Sequence, residues 1–258
     1  MSQGMNSGRR RFALAAGGLV ALQALAACST TAVPPTPQPS QGGLFVLLVD
    51  MVDPSRFESL LPAHSDWLHK KFEQGVFITS GGLGGPRAFA MFKAPNQAEA
   101  EALMADEPLY KNGVAKHQVL LFNPRFINAA FAPVASAAIG SKTTEFAPPL
   151  AQGNLFVLLV DFVDQAKFEK LLPTHIPWLR QKYERGVFVG SGGLGDKRAM
   201  AIFKAPSPAA AEALFVDEPL LNGGAIAQQV LPFNPRFHSP TFGPVVAGGQ
   251  STELPPVR

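Results

Sequence analysis

The chain has 258 residues, 47% of them hydrophobic and 16% charged, which is enough apolar material for one or two packed domains and excludes a disordered or fibrous protein. The formal charge of +3 comes from 22 basic and 19 acidic side chains, and Arg9, Arg10 and Arg11 account for the whole excess. The rest of the chain is balanced in charge, so no nucleic-acid partner is expected.

Residues 1–27 read as a signal peptide: a basic start, an apolar stretch from Phe12 to Ala27, and then the single Cys of the chain, Cys28. The apolar stretch is too short for a comfortable bilayer span. Leu25-Ala26-Ala27-Cys28 resembles the bacterial lipobox, which implies lipidation at Cys28 and a membrane partner through that lipid. Ser29 after the Cys leans towards the outer membrane, facing the periplasm. Arg9-Arg10-Arg11-Phe12 also resembles a twin-arginine export motif, and both that route and general secretion stay open. Residues 28–43 form the lipidated Cys and a Ser/Thr/Pro-rich flexible tether. A lone Cys allows no intramolecular disulfide.

In the following segment, Leu44–Val49 is a continuous apolar run, as in a strand covered on both faces. Residues 54–61 and 62–74 read as a helix broken at Pro62, with Gly75 stopping it. Val76–Ser80 reads as a strand, Gly81–Gly85 as a turn and Arg87–Lys93 as a strand. Asn96–Ala105 reads as a helix with Asn96 as its N-cap, and Gln118–Phe122 as the last strand. The order β-α-β-β-α-β is that of a ferredoxin-like unit, an α+β fold.

That unit occurs twice. Residues 44–126 align without a gap on residues 155–237, and 52 of the 83 positions are identical. The expected organisation is domain 1 at 44–126, a linker at 127–153, domain 2 at 154–237 and a Pro/Gly-rich tail at 238–258.

Of five His, only His64 and His175 recur. A His near a carboxylate can move protons near neutral pH, and Asp106 and Asp217 are the recurring candidates for that carboxylate. Ser80 and Ser191, before Gly-Gly, and Trp67 and Trp178 are candidate substrate contacts. No G-x-S-x-G elbow surrounds the Ser residues, and the His/Asp set is too small for a metal site. Asp50, Asp53, Asp161 and Asp164 recur at the end of the first strand and read as a solvated turn and N-cap feature, with the lining of a pocket as the alternative.

The set Pro62-Ala63-His64…Trp67-Leu68, Gly75…Ser80-Gly81-Gly82 and Asp106-Glu107-Pro108…Gly113, with its second copy, resembles the YCII-related (YciI-like) domain family. That resemblance implies a His–Asp active-site pair, carried onto His64 with Asp106 and His175 with Asp217. It also implies that the two copies pack as an intrachain pseudo-dimer of the dimeric α/β-barrel kind. The expected activity is cofactor-independent acid/base chemistry (lyase, isomerase or hydrolase) on a small organic molecule. A non-catalytic binding module of the cell envelope is the alternative.

Overall fold

The computed structural model describes residues 42–136 and 143–247. The leader, Cys28, nearly all of the tether and residues 248–258 lie outside them. In chain order the first copy runs β1 (Gly43–Met51), a 3₁₀ turn (Pro54–Arg56), α1 (Phe57–Glu73), β2 (Phe77–Gly82), β3 (Arg87–Ala94), α2 (Gln97–Ala102), α3 (Pro108–Lys111) and β4 (Ala115–Asn128). A connection follows with α4 (Ala132–Ala135) and β5 (Thr144–Phe146). The second copy repeats the plan: β6 (Asn154–Phe162), α5 (Gln165–Glu184), β7 (Phe188–Leu194), β8 (Arg198–Ala205), α6 (Pro208–Ala213), α7 (Pro219–Asn222) and β9 (Ile226–His238), then α8 (Gly243–Val246).

Two expectations about the longer elements need correction. Helix α1 is not broken at Pro62, and α5 runs through both Pro173 and Pro177. Each Pro removes one helical hydrogen bond, but the face carrying Trp67 and Leu68 packs on the sheet and outweighs that loss. The second correction concerns the last strand of each copy, which extends well past the expected five residues. Much of the supposed linker after Phe126 is therefore structure.

The long strands close the fold. Within a copy β4 pairs with β1, β1 with β3, and β3 with β2, all antiparallel. The far end of β9 then pairs with β2, and the far end of β4 with β7. The result is a closed ring of eight strands, with β5 added in parallel to β4. This is an eight-stranded α+β barrel made by one chain, with the copies standing as the two halves of a pseudo-dimer. Closure leaves the eight-stranded ring with no free edge.

Closure also explains the unbroken apolar run of β1. Leu44, Val46 and Leu48 point into the barrel, where they meet Leu155, Val157 and Leu159 of β6. Phe45 and Leu47 point outward beneath α1, with Phe77 and Phe92. Phe131 and Val134 after β4, and Phe242 and Val245 after β9, join the interior cluster, and the rings of Phe131 and Phe242 lie 6.5 Å apart.

The seams make use of the Gly-Gly motif. A Cβ on Gly81 would sit 1.9 Å from the Asn234 carbonyl oxygen, and one on Gly192 would sit 2.0 Å from that of Asn123. Each Ser-Gly-Gly therefore lies against the Phe-Asn-Pro-Arg of the other copy, and a bulge in the register marks both seams. Expected as a turn, Gly81-Gly82 is instead strand.

Candidate functional site

The Asp-Glu-Pro sequence opens a short helix in each copy. Glu107 is the N-cap of α3 and Pro108 its first residue. Glu107 Oε1 accepts from the Leu109 backbone N–H at 3.1 Å, and Oε2 from that of Tyr110 at 2.7 Å. Oε1 also lies 2.7 Å from His64 Nδ1. Burial alone would raise the Glu107 pKa. The hydrogen bonds from His64, Leu109 and Tyr110 outweigh it, and the carboxyl lies below its ordinary value. A charged carboxylate only accepts, so Nδ1 carries the proton, and in the neutral imidazole the lone pair is then on Nε2. Nε2 of His64 has no hydrogen-bond partner among the described residues.

The second copy reproduces this arrangement. Glu218 caps α7 through Leu220 and Leu221, and its Oε1 is 2.7 Å from His175 Nδ1. The side chains of His64 and His175 remain 22% and 18% exposed, whereas Glu107 and Glu218 are 9% and 3% exposed. Each imidazole is thus held by a buried carboxylate and reachable from outside.

The expected His–Asp pairs do not form. Asp106 Oδ1 accepts from Trp67 Nε1–H at 2.9 Å, and Asp217 Oδ1 from Trp178 Nε1–H at 2.8 Å. The reason is helical spacing. His64 and Trp67 lie one turn apart on α1, so two successive carboxylates, Glu107 and Asp106, meet them in reverse order. The missed residue, Glu107, carried a sequence signal: a Glu directly before a Pro, in a four-residue motif that recurs intact.

Trp67 and Asp106 line a shallow groove with Ala63, Lys70, Lys71 and Pro108. Lys71 stands 5.3 Å over the Trp67 ring. In the second copy Lys182 stands 4.8 Å over Trp178 and reaches Asp217 at 3.4 Å. The Trp178 indole foremost, and the Lys182 charge after it, lower the Asp217 pKa.

The two Ser differ. Ser191 is buried and bonded to the Tyr183 hydroxyl at 2.9 Å, within the seam. Ser80 is half-buried beside the opposite seam. Neither lies on the groove. No group of three His, Cys, Asp or Glu able to hold a metal occurs among the described residues.

Among curated proteins no sequence matches the chain. Similar solved structures include a mutant chlorite dismutase from Candidatus Nitrospira defluvii, with 10% identity, 81% of this chain and 95% of that one covered, and a TM-score of 0.45. A novel heme-binding protein from Thermus thermophilus shows 13% identity, covering 74% and 91%, at a TM-score of 0.41. A monooxygenase-like protein from Listeria innocua shows 6% identity, covering 76% and 96%, at 0.37. Residues 44–123, which hold His64, Trp67, Asp106 and Glu107, match the family described as the YCII-related domain, and the first copy of this chain is such a domain.

Proposed function

We propose that both copies are YCII-related domains, and that each works as a cofactor-independent acid/base site on a small organic molecule, with His64 and His175 as the proton-transferring groups. The supporting observation is the His–Glu contact of 2.7 Å in both copies, which fixes the tautomer and leaves Nε2 open. In this reading Glu107 and Glu218 orient the imidazoles, taking the part first expected of Asp106 and Asp217. Trp67 and Trp178 form the wall beside them. No cofactor is invoked. The protein is exported and held by a lipid on Cys28, facing the periplasm from the outer membrane. The layout of residues 1–28 supports this, and a Cys28→Ser variant is expected to leave the membrane fraction.

A second reading is a non-catalytic binding module. One observation favours it: both oxygens of Glu107 already cap a helix, so the carboxylate has a structural task whether or not His64 reacts. Diethylpyrocarbonate, which attacks unprotonated imidazole nitrogen, separates the two. A working dyad predicts fast modification of His64 and His175, slowed in Glu107→Gln and Glu218→Gln. Modification at the rate of the exposed His69 and His238, indifferent to the Glu changes, would leave the binding module standing.

A further inference from the structure

The barrel has a polar mouth that the His–Glu sites do not use. Asp50 lies directly opposite Arg87 in the β1–β3 register, and Asp161 opposite Arg198 in β6–β8. Residues paired in this way share a face of the sheet. Asp50 follows Leu48 by two positions and Asp161 follows Leu159 by two, so both pairs continue the inward face. Gln229 is paired with Leu159 and faces the same way. Charged side chains thus replace leucines where the interior opens to water.

The two Arg are gripped by the same atom. Arg87 Nε is 3.3 Å from Asp50 Oδ1, and Arg198 Nε is 2.8 Å from Asp161 Oδ1. The second contact is short but off the N–H axis, so the buried Arg198 Nε–H makes no hydrogen bond. Their outer edges differ. Arg87 donates through Nη1 to Gln229 Oε1 at 3.0 Å, across the mouth into the other copy. Both Nη groups of Arg198 lack a partner among the described residues.

We infer that the barrel mouth is a binding site for a small organic carboxylate, taken in a two-pronged contact by the Nη edge of Arg198. A guanidinium ion-paired with a neighbouring aspartate is kept in place by charge, and its free Nη edge matches the spacing of two carboxylate oxygens. Mouths of barrels are regular places for small ligands. A metal cation is the weaker occupant, since no three ligating side chains gather there among the described residues. Arg87, already engaged by Gln229, supplies charge more than contact. The inference is independent of any chemistry at His64 or His175.

The test is calorimetric titration of the full chain with acetate and succinate, and with acetamide as the neutral counterpart. Both carboxylates are expected to bind and acetamide not to. Arg198→Gln should weaken binding roughly tenfold or more, and Arg198→Lys nearly as much, because an ammonium cannot fork. Arg87→Gln should weaken it about threefold, as a lost nearby charge does. The pair His64→Gln and His175→Gln should leave the affinity as it was, which keeps this test apart from the acid/base reading. No binding of either carboxylate up to about 20 mM, which is near the floor of specific recognition, would overturn the inference. So would equal binding of acetamide, or an Arg198→Gln protein that binds as well as the parent.

Discussion

At one seam of the barrel, Thr79 on β2 donates its hydroxyl to the Phe237 carbonyl at 3.2 Å. At the other, Tyr183 on α5 donates to the Phe126 carbonyl at 2.7 Å and accepts from Ser191. The carbonyls occupy matching positions of the repeat, but the donors do not. Thr79 corresponds to Gly190, where a Cβ would sit 2.9 Å from the Phe131 ring, and Tyr183 corresponds to Phe72. Phe131 fills the place of a threonine side chain in the second copy, so the hydroxyl arrives from the helix instead. Each seam of this barrel supplies a side-chain donor to the corresponding carbonyl, and the residue that meets it differs between the copies.

The most severe way to break this comparison is through the seam glycines. Gly192→Ala places a methyl against the Asn123 carbonyl and should cost about 3 kcal/mol or more in denaturant unfolding. Gly193→Ala, one residue on, meets nothing within 4 Å and should cost less than about 1 kcal/mol. Equal losses at the two positions would mean that strand conformation, not closeness of the copies, selects glycine there.

Tyr183→Phe turns the second seam into the residue of the first without supplying a threonine. The half-buried Phe126 loses the side-chain donor to its carbonyl, and burial had already raised the Tyr183 pKa well above the ordinary phenol range. A loss of about 1–3 kcal/mol is expected in thermal or denaturant unfolding. The double change Tyr183→Phe with Gly190→Thr should not restore it, because Phe131 blocks the threonine.

Glu107→Gln should cost about 1 kcal/mol by weakening the cap of α3. It should also change the acid limb of stability. The folded Glu107 pKa lies below its value of 4.5 in the unfolded chain, so its contribution is present above 4.5 and fades as pH falls through the folded pKa. The variant should therefore lose stability less steeply than the parent below about pH 4.5, where the unfolded carboxyl titrates. Parallel acid limbs would show that the hydrogen bonds from His64, Leu109 and Tyr110 do not outweigh the burial of Glu107.

Much of the barrel was legible. The β-α-β-β-α-β order and the duplication rest on apolar runs and identical motifs, which survive in sequence because burial on both faces demands them. The boundaries of β4 and β9 were not, since Asn123-Pro124-Arg125 carries turn-forming residues. Only the partner strand across the seam, unknown from one copy's sequence, makes them a bulged strand. The site was half legible. Recurrence picked out His64, Trp67 and Asp106, yet which carboxylate each one meets depends on how a four-residue helix sits against α1. The signal that sets Glu107 apart from Asp106 was local capping chemistry, since both recur.

His117 gives the finest contrast between the copies. Its ring lies 4.0 Å from that of Tyr110, and the corresponding pair in the second copy is Leu221 and Gln228. Burial lowers the His117 pKa, against the opposing pull of Glu107 and Glu101. Below 6.5 the unfolded chain binds this proton more readily than the folded one does. Stability should therefore rise with pH between the folded pKa and 6.5. His117→Gln makes the first copy like the second and should flatten that part of the curve without moving the plateau at higher pH. The measurement is denaturant unfolding of parent and variant across pH 5 to 8. Identical slopes would place the imidazole in water, whereas a plateau that drops in the variant would show that the ring contact with Tyr110 matters more than the charge.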